Sequence, residues 1–171
     1  MFRNPGLWLA THLLLAPALL WGQGFSGFLE STAPPPPKTY AEFNRYTAKP
    51  GEVVTLTVRV FPAAGWYLYS ITVSSEDGPE PTRLHTRTPA HLAVAPLAES
   101  DPEWVEDAAF GVRLPVHRQP FVLMQRFQIA EGTEAGVQDW KGELHYQACD
   151  QRICAPLQRL ELTTPLEVVR R

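Results

Sequence analysis

The sequence predicts an all-β fold, an immunoglobulin-like β-sandwich, because three observations agree. Short segments rich in β-branched and aromatic residues alternate apolar with polar side chains, as residues 52–60 (EVVTLTVRV) do, and this pattern is typical of half-buried strands. Turn-forming groups such as Asp77-Gly78-Pro79 separate these segments at roughly ten-residue spacing, as in a sandwich. No segment after residue 24 has the long 3.6-residue period of an amphipathic helix.

Two segments are expected to precede the folded domain. Residues 1–24 indicate a signal peptide, because Arg3 precedes an apolar run that ends in small residues. No clean Ala-x-Ala cleavage site follows the run, so a retained N-terminal anchor stays open as the alternative. Residues 25–38 contain four consecutive prolines and predict a stiff Pro-rich linker. The folded domain is then expected to span residues 39–171.

Seven strands are predicted within this domain, and each is bounded by proline, glycine or polar turn residues. They span residues 52–60, 65–73, 82–88, 111–117, 121–129, 142–148 and 159–169.

Composition narrows the classes of function. Hydrophobic residues make up 44% of the 171-residue chain, which is enough for a real core. The formal charge is −3, and Arg3 is the only charged side chain in the first 24 residues, so a chain that starts at residue 25 would carry −4. This mild acidity argues against a nucleic-acid partner, which requires clustered Lys and Arg. We expect a monomeric protein located outside the cytoplasm, in the periplasm or an equivalent compartment.

The chain has only two cysteines, Cys149 and Cys154. Their spacing suits a strand end and the turn that follows, where two Cα atoms can lie within the roughly 4.4–6.8 Å that a disulfide requires. A bond that closes a ring of about six residues stabilises by about 2 kcal/mol, less than one that joins distant segments. The pair is therefore a redox-active disulfide that opens without unfolding or, as an alternative that stays open, a structural staple.

A metal site is a weaker interpretation of the same residues. Two thiolates with His145 nearby would supply three soft ligands for zinc or copper(I). No second Cys or His cluster in the sequence completes a four-ligand set. We therefore predict neither a metal site nor a cofactor.

Two blocks of sequence resemble a known family. Gly65-Trp66-Tyr67-Leu68-Tyr69 and the later Tyr146-Gln147-Ala148-Cys149, followed by Cys154-Ala155-Pro156, are similar to the amino-terminal periplasmic domain of the thiol:disulfide interchange protein DsbD, the disulfide bond corrector family. The segment 107–111 (DAAFG) resembles the cap loop of that family. The similarity covers about residues 45–171.

The resemblance implies an immunoglobulin-like sandwich with a dithiol/disulfide pair on a strand hairpin. It implies thioredoxin-fold partners: a donor fed by a membrane electron-conduit protein, and extracytoplasmic acceptors such as disulfide isomerases and cytochrome c maturation proteins. Cys154 would form the mixed disulfides and Cys149 would resolve them. Asp107 would be the catalytic acid/base of the cap loop, and the aromatic residues Tyr67 and Tyr69 would shield the pair.

Two departures from the family pattern bear on the site. The aromatic cap position aligns with Ala109, and Phe110 follows it by one residue, so either Phe110 acts as the cap in a shifted register or the shielding is weaker. The usual Pro-Pro after the second cysteine is reduced to Ala155-Pro156. The sequence thus indicates thiol–disulfide exchange through Cys149 and Cys154. An exported immunoglobulin-like binding module with a structural disulfide is the alternative.

Overall fold

The computed structural model describes residues 34–74 and 78–170. The predicted signal peptide and the first part of the predicted linker lie outside these residues. Within the described part of the chain there are thirteen strands and no helix, and no segment there forms a helix that is long and apolar enough to span a bilayer. The strands are β1 (Lys38–Phe43), β2 (Thr47–Ala48), β3 (Val53–Phe61), β4 (Tyr67–Tyr69), β5 (Arg83–Thr86), β6 (His91–Ala93), β7 (Ala98–Glu99), β8 (Glu103–Asp107), β9 (Val112–His117), β10 (Phe121–Ile129), β11 (Gly136–Tyr146), β12 (Ala148–Cys149) and β13 (Gln158–Val168).

The strands form three sheets. The first has the order β1-β3-β10-β6, with β7 also paired to β10, and the second has the order β2-β13-β11-β5. All pairs are antiparallel except β13 with β2. A third, smaller sheet has the order β12-β4-β9-β8. This small sheet contains Tyr67 and Tyr69 on β4 and Asp107 at the end of β8.

The main core lies between the first two sheets, because the long strands of both alternate buried with more exposed side chains. Val54 and Val58 of β3 and Phe127 of β10 share one buried cluster with Trp140 of β11 and Leu166 of β13. Two largely antiparallel sheets that face each other across one apolar layer form a β-sandwich. The predicted all-β, immunoglobulin-like fold is confirmed.

The position of β4 explains why the site lies beside the core and not within it. All three residues of β4 are buried. Successive side chains of a strand point to opposite faces, so Leu68 joins the main core while Tyr67 and Tyr69 join a second cluster. The same alternation in β12 sends Ala148 to the main core and Cys149 to the second cluster. One small sheet therefore separates the sandwich interior from the disulfide.

Some predicted strand bounds were wrong. The strand predicted over 65–73 is only Tyr67–Tyr69, because the chain turns after Ser70. The strand predicted over 142–148 begins earlier, at Gly136, and is interrupted at Gln147. The prediction missed β1, β2, β6, β7 and β8, which are short or largely exposed. The strand predicted over 121–129 coincides with β10.

Candidate functional site

The two cysteines form a disulfide, Cys149–Cys154, with their Cα atoms 4.1 Å apart. They lie opposite each other in a tight hairpin, where Ala155 N–H donates to the Ala148 carbonyl at 2.8 Å and Asp150 N–H donates to the Ile153 carbonyl at 2.9 Å. In an antiparallel ladder, two opposed residues lie closest when they share no backbone hydrogen bond. Their Cα atoms are then about 4.5 Å apart. The hairpin thus brings the sulfurs together by its own geometry.

Local side chains hold this hairpin in place. The Asp150 carboxylate accepts hydrogen bonds from Arg152 N–H and Ile153 N–H, both at 2.7 Å, as Asp does in an Asx-turn. These contacts lower the pKa of Asp150, first through Ile153 and then through Arg152. The Gln147 side chain donates to the Ala155 carbonyl at 3.0 Å and accepts from Glu80 N–H at 2.8 Å. The turn is therefore fixed without help from the sulfur–sulfur bond.

The two sulfur-bearing residues differ in exposure. Cys149 is fully buried, with 0% of its surface exposed, whereas Cys154 is only partly buried. Exchange requires a thiolate to reach one sulfur along the S–S axis. Cys154 is therefore accessible to a thiol from solvent, whereas Cys149 is not.

Tyr69 connects the disulfide to Asp107. Its hydroxyl lies 3.1 Å from Cys149 Sγ and 3.7 Å from Cys154 Sγ, and it donates to Asp107 Oδ2 at 2.6 Å. The Tyr67 hydroxyl donates to the same carboxylate oxygen at 2.8 Å. Burial, followed by the hydrogen bond to Asp107, raises the pKa of both tyrosines, that of Tyr67 to about 12. Both hydroxyls therefore keep their protons at neutral pH.

Asp107 is the last residue of β8 and is 2% exposed. Its second oxygen, Oδ1, accepts from Ala109 N–H at 2.9 Å and Phe110 N–H at 3.2 Å. Burial favours a higher pKa, but hydrogen bonds from Tyr69, Tyr67 and these two amides outweigh it and hold the pKa of Asp107 below its usual value. A carboxylate with four donors stays ionised even when buried.

The cap loop closes at Gly111, which has a φ of 67° and donates its N–H to the Asp107 carbonyl at 2.8 Å. Glycine suits this left-handed position because it has no Cβ. Within the loop Ala109 is exposed, whereas the Phe110 ring packs edge-on against Tyr69, with ring centroids 6.2 Å apart. Phe110 also belongs to the apolar cluster around the disulfide. Phe110, not Ala109, is therefore the aromatic residue placed at the site.

The structure brings all six sequence-predicted site residues into one cluster: Cys149, Cys154, Asp107, Tyr67, Tyr69 and Phe110. The described hydrogen bonds of the Asp107 carboxylate come from two hydroxyls and two amides, so Tyr69 is the side chain that connects it to the sulfurs. No group of three or more potential metal ligands occurs among the described residues. His145 lies elsewhere, against His85 and Glu143.

Sequence reasoning missed the residues behind β4. Glu99 accepts from the Ser70 hydroxyl and from Ile71 N–H at 3.1 Å, and it pairs with His117 Nε2 at 2.8 Å. Burial opposes ionisation of this carboxyl, but the bonds from His117 and Ser70 hold the pKa of Glu99 below its usual value. These contacts tie the end of β4 to β7 and β9. Arg118, whose guanidinium lies 5.5 Å above the Tyr67 ring, was also missed. No local pattern marks any of these side chains.

Comparison with known families agrees with this geometry. The family described as "Thiol:disulfide interchange protein DsbD, N-terminal" matches residues 33–165, more than three quarters of the chain. The chain belongs to the DsbD N-terminal family. Its disulfide, cap loop and paired tyrosines all lie within the matched range. The family that the sequence resemblance predicted is confirmed. Proteins of this family have thiol–disulfide partners.

The solved structures that match this DsbD N-terminal family member are distant from it. The Bacillus cereus major pilin subunit BcpA has 9% identity and a TM-score of 0.45, covering 78% of this chain and 40% of its own. A family 123 glycoside hydrolase from Clostridium perfringens has 6% identity and a TM-score of 0.39, covering 73% and 22%. The chain thus spans less than half the length of either protein. No curated protein sequence matches the chain significantly.

Proposed function

We propose that this domain relays electrons between extracytoplasmic proteins by thiol–disulfide exchange at Cys149–Cys154. The observation that carries the proposal is the unequal exposure of the two cysteines on a hairpin that other contacts already hold. A staple gains nothing from presenting one sulfur to solvent, whereas an exchanging pair requires it. Membership of the DsbD N-terminal family supports the same function.

The exposure of Cys154 suggests the order of the chemical steps. A donor thiolate attacks Cys154 Sγ, a new intermolecular S–S bond forms, and the bond to Cys149 breaks. The electron pair of the broken bond goes to Cys149 Sγ, and the Tyr69 hydroxyl, 3.1 Å away, can turn its single proton from Asp107 to the leaving thiolate. The second thiolate of the donor then attacks the donor's first sulfur, which is bonded to Cys154 in the mixed disulfide, and Cys154 is released. The donor becomes a disulfide, and the domain becomes a dithiol after it takes up two protons.

Asp107 enters this mechanism through Tyr69. When the reduced domain passes its electrons on, Cys154 must lose a proton before it attacks an acceptor disulfide. The Tyr69 oxygen can accept that proton while it gives its own to Asp107, which is ionised and 2.6 Å away. No helix N-terminus lies among the described residues to stabilise a thiolate, so a relay of this kind is the available route to deprotonation.

Family membership and the predicted export support a proposal about the partners. We propose a thioredoxin-fold donor reduced by a membrane electron-conduit protein, and thioredoxin-fold acceptors in the periplasm. The proposed exchange needs no cofactor, because the two cysteine sulfurs carry both electrons in the dithiol form.

A matched pair of cysteine variants tests the proposal. In Cys149→Ala the remaining thiol is at the partly exposed Cys154, and this variant should trap mixed disulfides with thioredoxin-fold proteins when it is exported in a bacterial periplasm. In Cys154→Ala the remaining thiol is at the buried Cys149, so it should trap few or none. Mass spectrometry of the non-reduced adducts identifies the partner and the cysteine.

The disulfide potential gives a second readout on the wild-type domain. An exchanging pair should be reduced by thioredoxin-type dithiols, with a potential above about −300 mV. A potential below that value, together with no adduct on either variant, would contradict the proposal and leave a binding module with a structural disulfide.

A further inference from the structure

A small pocket lies beside the hairpin that carries the disulfide. Its volume is about 270 Å³, and it is lined by Gly65, Trp66, Tyr67, Arg118, Gln119 and Gln151. Two of these residues connect it to the redox pair. Tyr67 is the direct strand partner of Cys149, and Gln151 belongs to the turn that joins the two cysteines. The pocket therefore lies beside the hairpin that carries Cys154.

The polar groups of the pocket favour an anion. Arg118 is the charged residue in its lining, and its guanidinium lies over the face of the Tyr67 ring. Such stacking leaves the edge of the planar guanidinium, with its fork of N–H donors, free to bind a carboxylate. The Nε of Arg118 is 3.7 Å from Glu103, and both side chains are about half exposed. A loose, solvent-screened ion pair of this kind exchanges readily for a better-placed carboxylate. Gln119 and Gln151 add amide donors.

The negative charge of Asp107, which lies close by, is compensated in large part by its own hydrogen-bond donors. Asp107 is buried behind the Tyr67 hydroxyl and is satisfied by four hydrogen bonds. The pocket itself lies on the solvent side, where Gly65 has no atom within 4 Å of the position a Cβ would occupy. Asp107 contacts the hydroxyl of Tyr67, whereas Arg118 lies over the face of its ring, so the two charges meet different parts of the tyrosine.

We propose that this pocket binds a carboxylate of the partner protein, from an Asp or Glu near the cysteine that attacks Cys154. The inference rests on the proposed exchange function and adds a partner specificity to it. Arg118 is a binding residue for the docked partner and does not touch the reacting sulfurs. Its contact orients the incoming thiolate and favours partners with an acidic residue beside the reactive cysteine.

Synthetic peptides provide the test, because their charge can be changed at one position. Each peptide has a single cysteine and carries Asp, Asn or Lys at one of the four positions before it. Attack by the peptide thiolate forms a mixed disulfide with Cys154 and frees Cys149. Initial rates are measured by acid quench and mass spectrometry. They are expressed per thiolate, because a neighbouring carboxylate raises the pKa of a thiol.

For the wild-type domain, at least one Asp peptide should react about fivefold faster than its Asn counterpart, as expected for one partly exposed ion pair. The Lys peptide should be slower than both. In Arg118→Gln the Asp:Asn ratio should fall to about one. In Arg59→Gln the ratio should stay as in wild type, since Arg59 is also exposed and ion-paired, to Glu42, but lies on β3. High salt should reduce the wild-type ratio.

The two proposals fail in different ways. If the peptides react but no Asp peptide is faster than its Asn counterpart, or if the preference survives in Arg118→Gln, the carboxylate site is refuted while exchange stands. If no peptide reacts with the folded domain, the exchange function itself is refuted.

Discussion

Replacing Tyr69 by Phe should slow opening of the disulfide more than any other single hydroxyl deletion at the site. The Tyr69 hydroxyl is 3.1 Å from Cys149 Sγ, the sulfur that leaves when Cys154 is attacked. A hydrogen bond to a charged group contributes about 1.5–3 kcal/mol. Because the same proton already binds the ionised Asp107 at 2.6 Å, only part of this stabilisation is gained in the transition state, and its loss slows attack by about 10-fold.

Tyr67→Phe is a matched control for this experiment. Tyr67 donates to the same oxygen of Asp107 as Tyr69 does, and its described hydrogen bonds do not include a sulfur. Both variants leave Asp107 with three of its four donors, so both should lose similar folding stability, about 1–3 kcal/mol. Only Tyr69→Phe removes a donor from the leaving sulfur. Reduction of Tyr67→Phe should therefore slow by less than about threefold.

The assay is stopped-flow reduction of the oxidised domain by dithiothreitol, a small neutral dithiol that needs no docking surface. Rates are measured at several pH values and expressed per thiolate. Urea unfolding of each variant gives the change in stability separately. Equal slowing in the two variants would refute a direct role of the Tyr69 hydroxyl at the sulfur, because the effect would then come from Asp107 or from the fold.

Two further predictions concern the aromatic cap and a buried histidine. Phe110→Ala should speed dithiothreitol reduction severalfold, because the ring packs on Tyr69 within the cluster around Cys154; an unchanged rate would mean that it shields nothing. His91 is 2% exposed, and neither ring nitrogen has a partner among the described residues. Burial lowers its pKa below 6.5, so the unfolded chain binds a proton there that the folded domain does not, and stability falls as pH drops below about 6.5. His91→Phe should weaken that loss and raise the free energy of unfolding at pH 7 by about 1 kcal/mol in urea titrations; an unchanged pH dependence would contradict this.

Sequence pattern was most informative where one face of a strand is buried and the other is more exposed. The nine residues of β10 alternate in this way, and their bounds were predicted without error. The first half of β11 has no such signal, because Gly136 and Val137 are exposed and the segment is largely polar. The strand β4 is buried on both faces, so its apolar run predicts a strand but not where the chain turns away.

The site was predictable only in part, for a related reason. The spacing of Cys149 and Cys154 indicates a local ring, and the resemblance to a family placed Asp107 and the tyrosines near it. The contacts that give these residues their roles join positions 38 to 85 residues apart, and no local pattern encodes such pairs. The contact of Arg118 with Tyr67 likewise cannot be predicted from the sequence, because it depends on the pairing of β9 with β4.

The central claim is that one sulfur–sulfur bond opens while the sandwich around it stays folded. Amide NMR spectra of the oxidised domain and of the domain treated with a mild dithiol at neutral pH test it directly. Reduction should complete under native conditions and shift resonances only around the cysteine hairpin, β4 and the cap loop, with the core strands β3, β10, β11 and β13 unchanged. A bond that resists the dithiol until denaturant is added, or a reduced domain whose core resonances collapse, would contradict the account.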